Sequence, residues 1–202
     1  YALDGWENFL KAAKSAGYQE EILLKAGLIL QKEGEAERLY DRFRNRVTFT
    51  IHNVSGKAIG FGARILTKDK NQPKYINSPE TPIYHKSDVL YGIFQAKKAI
   101  RDQDNCFLVE GYTDVIALHQ AGIATAVAPL GTALTEDQMR LLWRHAAEPI
   151  LCFDGDKAGV RAAYRAIDLA LPHIGPGKTL RFAFLPGGQD PDELIKAHGA
   201  PA

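Results

Sequence analysis

The chain has 202 residues, of which 46% are hydrophobic and 24% charged, an ordinary composition for a globular protein of one large or two small domains. No apolar run approaches the roughly 20 residues of a membrane span, and no signal-peptide pattern opens the sequence. We therefore expect no membrane partner. Because the chain starts without methionine and ends soon after an acidic cluster, we expect it to be part of a longer protein.

The two cysteines, Cys106 and Cys152, both lie in predicted buried strands. This placement favours reduced thiols in a cytosolic protein over a disulfide. Two cysteines cannot build a thiolate zinc site, which normally takes about four ligands. The sequence thus predicts no zinc in this fragment.

The net charge of +1 conceals a strong polarity along the chain. Residues 38–101 hold 13 Lys/Arg and 4 Asp/Glu, whereas residues 102–202 hold 8 and 13. A basic segment beside an acidic one is typical of a protein in which one part holds phosphates and the other holds metal ions. A solvated charge pattern is the simpler alternative.

The amino-terminal part is predicted to begin with two short helices. Asp4 can cap the first, whose apolar positions recur at helical spacing and include Trp6, and Gly17 lies just past its end. The second covers residues 19–26. Both helices are interpreted as packing elements.

The apolar period then changes to two, which predicts strands over residues 47–51 and 58–66 joined by turn residues 53–56. This pattern indicates an antiparallel hairpin. Residues 68–84 show no clear period and are predicted to form a long ordered loop of functional importance. Ser87 is predicted to cap a helix over residues 88–101.

Beyond residues 101–105 strand and helix patterns alternate, which predicts a parallel sheet covered by helices on both faces. Thr135 with Gln138 forms a capping box at the start of one helix. The predicted strands are 106–109, 125–128, 150–153 and 180–184, and the predicted helices are 115–121, 136–147 and 158–171. We predict an α/β fold, α+β overall, with a mixed subdomain at residues 1–101 and a parallel-sheet domain at residues 102–202.

Three acidic clusters follow predicted strands. Asp154 and Asp156 come directly after the strand 150–153, and side chains two apart in an extended segment point to the same side. Ligands gather at the carboxyl ends of strands in an open parallel sheet, so the three clusters should meet in one crevice. The other two clusters are Glu110-Gly-Tyr-Thr-Asp114 and Asp190-Pro-Asp192.

The candidate ligands are all carboxylates, which favours Mg²⁺ or Mn²⁺ over Zn²⁺. Such ions commonly clamp phosphates. The cations Arg64, Lys74 and Lys86 would complement them by holding a triphosphate. The segment Leu130-Gly-Thr132 could bring backbone close to the same site, although a tight turn explains its glycine equally well.

Three arginines spaced two apart, Arg42, Arg44 and Arg46, would share one face of an extended segment. They could track a nucleic-acid backbone, with Tyr40 or Phe43 available for stacking. A solvated edge strand protected by its charges is the alternative.

Several motifs resemble the DnaG-type bacterial primases. Four resemble their TOPRIM domain: Glu110-Gly-Tyr-Thr-Asp114-Val, Leu130-Gly-Thr-Ala-Leu, Phe153-Asp-Gly-Asp156-x-Ala-Gly159 and Gln189-Asp-Pro-Asp192. Three resemble the basic subdomain that precedes it: Tyr40-Asp-Arg-Phe-Arg-Asn-Arg46, Ile59-Gly-Phe-Gly-Ala-Arg64 and Lys74-Tyr-Ile-Asn-Ser-Pro-Glu-Thr81. Other TOPRIM proteins, such as topoisomerases, would lack the upstream motifs.

The resemblance implies DNA-dependent synthesis of short RNA primers by metal-dependent nucleotidyl transfer. It implies the catalytic acids Glu110, Asp114, Asp154 and Asp156, joined as ligands of Mg²⁺ or Mn²⁺ by Asp190 and Asp192. Glu110 could act as a base, a ligand or both. Nucleotide contacts fall on Arg64, Lys74, Tyr75, Asn77 and Lys86, and template contacts on the arginines at 44 and 46, to which the spacing argument adds Arg42.

The implied partners are single-stranded DNA template, ribonucleoside triphosphates and the RNA primer, in a cytoplasmic, nucleoid-associated protein. The replicative helicase would bind the full-length protein through a domain outside this sequence. Two other functions remain open. A TOPRIM nuclease or topoisomerase-like enzyme would cleave strands, and a nucleic-acid-binding module would hold a structural cation without catalysis.

Overall fold

The computed structural model describes residues 1–32, 34–67, 72–131 and 133–199, which form two compact units. The first unit comprises Tyr1–Ile51 and Ala58–His85. The second comprises His52–Lys57 and the chain from Lys86 onward. The main chain passes from the first unit to the second for the last time between His85 and Lys86. The predicted division at residues 101–105 stays a prediction. Within the described residues, no helix is both long and apolar enough to cross a membrane.

The first unit contains two short helices and two small sheets. Strands β1 and β2 form an antiparallel ribbon, and the second sheet has the order β3-β4-β5. The elements are α1 (Asn8–Ser15), α2 (Glu20–Lys25), β1 (Ile29–Lys32), β2 (Glu35–Asp41), β3 (Arg46–His52), β4 (Ala58–Ile65) and β5 (Tyr75–Asn77). The predicted hairpin is confirmed as β3 and β4.

The start of α1 corrects the prediction that Asp4 caps the first helix. The helix begins at Asn8, and its first N–H groups are taken by the buried carboxylate of Asp41. The N–H groups of Phe9 and Leu10 donate to it at 2.7 and 2.9 Å. A cap supplied from 32 residues away is a tertiary contact that local patterns do not reveal.

Strand β5 corrects the prediction that residues 68–84 are a loop throughout. Tyr75–Asn77 pairs antiparallel with β4, and Arg64 lies opposite Tyr75. A segment of three residues is too short to show an alternating apolar pattern in the sequence. This strand is therefore defined by its pairing with β4. Residues 68–71 of the predicted loop lie outside the described residues.

The second unit confirms the predicted parallel sheet flanked by helices. The strand order is β7-β6-β8-β9, and all three pairings are parallel. The strands are β6 (Phe107–Leu108), β7 (Ala126–Val127), β8 (Ile150–Phe153) and β9 (Arg181–Phe184), and the helices are α3 (Ile93–Gln103), α4 (Tyr112–Gln120), α5 (Glu136–His145), α6 (Lys157–Ala170) and α7 (Pro191–His198). The largest core packs α3, α5 and α6 on the sheet.

Helix α3 begins five residues later than predicted, and Ser87 does not cap it. Tyr91 instead bridges to Ala128, with N–H···O distances of 2.8 and 3.1 Å between their backbones. Gly92 then adopts a left-handed φ of 84° before the helix starts at Ile93. Tyr91 therefore pairs with the chain that follows β7 and cannot form part of the first turn of α3.

Candidate functional site

The acidic clusters follow three adjacent strands of the parallel sheet. Glu110 comes after β6, Asp154 after β8 and Asp190 after β9, and β8 lies between the other two strands. Parallel strands end at one edge, so the strand order brings the three acidic segments to the same edge. The sequence alone could not give this strand order.

Asp114 lies in the first turn of α4 and is only 6% exposed. Its Oδ2 accepts a hydrogen bond from the N–H of Gly111 at 3.0 Å. Burial, and then the charge of Asp190, raise the pKa of Asp114 to about 7, with smaller contributions from Asp154 and Asp192. The negative charges of Asp154, Asp190 and Asp192, which follow β8 and β9, thus reach Asp114, which follows β6.

Asp154 shows the same crowding from the middle strand. Burial raises its pKa to about 6, assisted by the charges of Glu110, Asp190, Asp156 and Glu193. The repulsion felt by Asp114 and Asp154 places all three acidic segments within electrostatic reach of one another. Burial and neighbouring negative charges both disfavour the ionised form of a carboxyl group and so raise its pKa.

Gly155 allows the loop after β8 to approach the chain after β9. A Cβ at Gly155 would overlap the carbonyl oxygen of Leu185 and would lie 3.2 Å from the N atom of Gly188. These atoms precede Asp190 in the chain. Only glycine therefore permits this approach of the two acidic segments.

Two of the predicted ligands also cap helices. Asp156 Oδ1 accepts from the N–H groups of Ala158 and Gly159, both at 2.7 Å, at the start of α6. Asp190 Oδ1 accepts from the N–H of Glu193 at 2.7 Å at the start of α7. These bonds use one oxygen of each carboxylate. The cap of α6 is thus Asp156 and not Asp154.

Asp192 has a different partner, the ammonium group of Lys196 at 2.6 Å. Among the described residues, no three Asp, Glu, His or Cys side chains are already arranged around one point as metal ligands. The donor set nevertheless fits a hard divalent cation, because it offers only carboxylate oxygens and carries excess negative charge. The predicted metal site and its catalytic acids stay a prediction.

Glu110 and Gly131 line the same cavity, of about 370 Å³, together with Phe153 and Arg165. Gly131 has a left-handed φ of 69°. The segment predicted to bring backbone near the acids therefore reaches the surroundings of Glu110. Thr132, the next residue of that motif, lies outside the described residues.

In the first unit, two predicted nucleotide-binding cations surround one ring. The Arg64 guanidinium carbon lies 5.9 Å from the Tyr75 ring centroid, and the Lys74 ammonium lies 5.5 Å from it. Within the described residues, the buried Nε of Arg64 has no hydrogen-bond partner. A cationic patch with an unsatisfied donor suits an anion. The nucleotide contacts themselves, including Asn77 on the same strand, stay predictions.

The three predicted template-binding arginines do not share one face of an extended strand, which corrects the sequence interpretation. Strand β2 ends at Asp41, and Asn45 takes a left-handed φ of 50°. Arg42 donates to the carbonyl of Asn77 at 2.6 and 3.1 Å. Arg46 is buried and donates to backbone carbonyls near β5.

Arg44 lies over two aromatic rings, whereas Arg42 lies over one, that of Phe43, at 5.9 Å from its centroid. The Arg44 guanidinium carbon is 4.2 Å from the Trp6 centroid and 5.3 Å from that of Tyr40. Trp6 was counted among the apolar positions of the first predicted helix, yet it precedes α1 and is 61% exposed. Local patterns do not reveal the contact between Trp6 and Arg44, because 38 positions separate the two residues. Template contact by the three arginines stays a prediction.

A parallel sheet with acids beyond adjacent strand ends is consistent with a TOPRIM-class domain, and residues 104–178, which include Glu110 and Asp154, match the family described as Toprim domain. Residues 1–97 match the DNA primase catalytic core, N-terminal domain. The DNA primase of Pseudomonas aeruginosa is 48% identical over 202 residues, which are 100% of this chain and 30% of that protein. This chain thus spans less than a third of that relative.

Two solved structures are also similar. The Escherichia coli primase catalytic core has a TM-score of 0.90 and 46% identity, over 100% of this chain and 63% of that one. A DnaG primase catalytic domain bound to single-stranded DNA has a TM-score of 0.87 and 45% identity, over 98% of this chain and 61% of that one. The chain belongs to the DnaG family of DNA primases.

Proposed function

We propose that this chain carries the nucleotidyl-transfer centre of a primase, which joins ribonucleotides into short RNA primers on a single-stranded DNA template. The observation that carries the proposal is the placement of acids after three adjacent strands of one parallel sheet, and the raised pKa values of Asp114 and Asp154 support it. Such a concentration of negative charge suits an enzyme that handles phosphates through cations.

Glu110, Asp154 and Asp156 would hold Mg²⁺ or Mn²⁺, with Asp114, Asp190 and Asp192 close by. A bound divalent cation would neutralise charge on the phosphates and favour the ionised form of an attacking hydroxyl. The second function of Asp156 and Asp190, as helix caps, fixes their orientation before any ligand arrives.

The triphosphate would be held by Arg64, Lys74 and Lys86. Charge-assisted bonds from these cations would offset the phosphate charge and orient the leaving group. Tyr75, which lies beside Arg64 and Lys74, offers an aromatic face to the nucleotide.

The template would pass over the cluster formed by Trp6, Tyr40 and Arg44. The exposed ring of Trp6 and the partly buried ring of Tyr40, together with the Arg44 cation, would provide both base stacking and phosphate attraction. A DnaG primase catalytic domain of 45% identity is bound to single-stranded DNA in its solved structure, which supports a DNA template here.

For the longer protein we propose the replicative helicase as a partner, bound through a segment outside this sequence, and a cytoplasmic, nucleoid-associated location. Both follow from the family to which the chain belongs. They depend on parts of the relatives that this chain does not span.

Strand cleavage is disfavoured by the packing of Tyr112, the tyrosine closest to Glu110 along the chain. Tyr112 follows Glu110 by two positions but is buried, and its ring meets that of Tyr91 edge-on at 4.9 Å. A nucleophile for DNA needs an accessible hydroxyl, and packing against a second ring restricts this one. The geometry therefore favours nucleotidyl transfer over topoisomerase-like chemistry.

The test is incorporation of labelled ribonucleotides on a single-stranded template with Mg²⁺ or Mn²⁺. We expect short RNA products from the parent, and a loss of at least about a hundredfold in Asp154→Asn, since such acids act directly at the reacting phosphates. Asp168→Asn, at an exposed position of α6, is the matched control and should retain activity.

Three outcomes separate the functions. RNA products that depend on Asp154 support the primase proposal. Cleavage of the DNA without ribonucleotides would establish the nuclease alternative. DNA binding with neither reaction, under conditions in which the parent is folded, would establish a binding module and refute the proposal.

A further inference from the structure

The backbone around Lys86 is held by a side chain from the start of α5. The amide nitrogen of Gln138 donates to the carbonyl of Lys86 at 2.8 Å and to that of Val89 at 3.0 Å. Its Oε1 accepts from the N–H of Thr135 at 3.1 Å. Both amide hydrogens and the amide oxygen of Gln138 are therefore engaged.

Gln138 is 0% exposed, so these bonds are made away from water. A buried amide that lost its partners would carry a desolvation penalty, and a saturated one fixes a single geometry. The position of the backbone at Lys86 is thus coupled tightly to the first turn of α5.

Thr135 adds a third bond to the same segment. Its hydroxyl donates to the carbonyl of Ser87 and accepts from the N–H of Gln138 at 3.2 Å. Residues 86–90 belong to no helix or strand, so their carbonyls have no regular ladder of partners. The capping box supplies partners to three of them.

An ordinary capping box does not account for this arrangement. Capping requires only that Thr135 Oγ1 accept from the N–H of Gln138 and that Oε1 of Gln138 accept from the N–H of Thr135. A glutamate at 138 would do both. The two bonds from the amide nitrogen are therefore an additional contact, directed at the segment that carries Lys86.

We propose that Gln138 and Thr135 are positioning residues for the incoming ribonucleotide, which act through Lys86. By fixing the carbonyls of residues 86–89, they hold the Lys86 side chain where its ammonium meets the triphosphate. The inference rests on the proposed function, in which Lys86 binds that triphosphate. Neither positioning residue touches the nucleotide.

The experiment measures the dissociation constants of the 202-residue chain for GTP with Mg²⁺ and for a single-stranded oligonucleotide. The key variant is Gln138→Glu, because glutamate keeps the cap and loses both donors to the carbonyls. Thr135→Val removes the hydroxyl, and Thr135→Ser restores it. Met139→Val is the control, since Met139 is a buried neighbour in α5 without a side-chain bond to residues 86–89.

We expect Lys86→Ala to weaken GTP binding about tenfold or more, the loss that accompanies one charge-assisted hydrogen bond. Gln138→Glu and Thr135→Val should weaken it about three- to tenfold, because small displacements of a binding group are costly. Thr135→Ser and Met139→Val should bind GTP as the parent does. All variants should bind the oligonucleotide within about twofold of the parent, at a temperature below every melting transition.

The double variant Lys86→Ala/Gln138→Glu should bind GTP no more weakly than Lys86→Ala, because residues that act through one another are not additive. Additive losses would overturn the inference. So would a normal GTP affinity in Gln138→Glu and Thr135→Val while Lys86→Ala is impaired. An unimpaired Lys86→Ala would instead refute the proposed role of Lys86. If Gln138→Glu does not fold, the Thr135→Val and Thr135→Ser pair decides by itself.

Discussion

The guanidinium group of Arg46 donates a hydrogen bond to the backbone carbonyl of Pro73 at 2.9 Å. It also reaches the carbonyl of Lys74 at 3.3 Å, and Arg46 is only 3% exposed. A buried guanidinium with these partners supports Lys74 and the chain that leads into β5 at Tyr75. Arg46 therefore differs from Arg44 in its surroundings: Arg46 is buried against backbone carbonyls, whereas Arg44 lies over aromatic rings.

Arg46→Ala should therefore weaken nucleotide binding rather than template binding. Two carbonyls would lose their donor in a buried place, so we expect the free energy of unfolding to fall by about 1–3 kcal/mol. Urea denaturation measures this loss, and the affinity for GTP should fall with it. An Arg46→Ala variant of unchanged stability whose DNA affinity is reduced would contradict the structural role.

Arg44→Ala should instead weaken single-stranded DNA binding and reduce its salt dependence. Each phosphate contact contributes a slope of about 0.7 in log affinity against log salt for a single strand. We expect the slope to fall by about that amount, as measured by fluorescence anisotropy. Lys11→Ala is the control, because Lys11 is an exposed cation paired with Glu7. Equal slopes for Arg44→Ala and the parent would remove Arg44 from the template path.

The sequence predicted the second unit better than the first, for physical reasons. Strand β8 and helix α6 are both marked locally, by a four-residue apolar run and by an aspartate whose own side chain caps the helix. The capping box of Thr135 and Gln138 was also visible, and the structure confirms it. Elements that carry their own start signals can be read without their surroundings.

The errors fall where distant residues decide the conformation. The start of α3 depends on the bridge between Tyr91 and Ala128, and the cap of α1 comes from Asp41. The prediction that the three arginines share one face of an extended segment was wrong, because Asn45 adopts a left-handed backbone conformation between Arg44 and Arg46. The ribbon of β1 and β2 was not predicted, since no alternating apolar pattern marks it. The acidic positions were predictable, but their grouping depends on the strand order.

The metal-free protein should lose stability as the pH rises from about 4 to about 7. Asp114 has a pKa raised to about 7 in the folded state, against about 3.9 in an unfolded chain. Between these values the folded state binds more protons, so the free energy of unfolding decreases with pH. Asp114→Asn should flatten this dependence in urea denaturation with EDTA. The exposed Asp168→Asn control should follow the parent, and a steeper curve for Asp114→Asn would contradict the assignment.

Gly155→Ala should separate the acidic segments that follow β8 and β9. The added Cβ would overlap the Leu185 carbonyl, and backbone displacement of this kind costs about 1–3 kcal/mol. We expect a lower melting temperature and weaker Mn²⁺ binding by calorimetric titration. Gly175→Ala, where a Cβ meets nothing within 4 Å, is the matched control and should leave both unchanged. Normal Mn²⁺ affinity in Gly155→Ala would show that this approach does not shape the site.

The last prediction separates Asp154 from Asp156 in EDTA. Asp154→Asn removes a charge that is repelled by Glu110 and Asp190, so this variant should melt at the same temperature as the parent or higher. Asp156→Ala removes the cap of α6, with its two bonds of 2.7 Å, and should cost about 1 kcal/mol. Differential scanning calorimetry measures both changes.

Mg²⁺ then tests whether the two carboxylates share a cation. A ligand at 100 times its dissociation constant contributes about 2.7 kcal/mol to folding, so Mg²⁺ should raise the melting temperature of the parent more than that of either variant. If Asp154 were a structural residue, Asp154→Asn would melt below the parent in EDTA and respond normally to Mg²⁺. That result would remove Asp154 from the metal site. The Asp156→Ala variant could instead be destabilised in EDTA and still gain as much stability from Mg²⁺ as the parent does. That result would mean that Asp156 caps α6 and does not bind the cation.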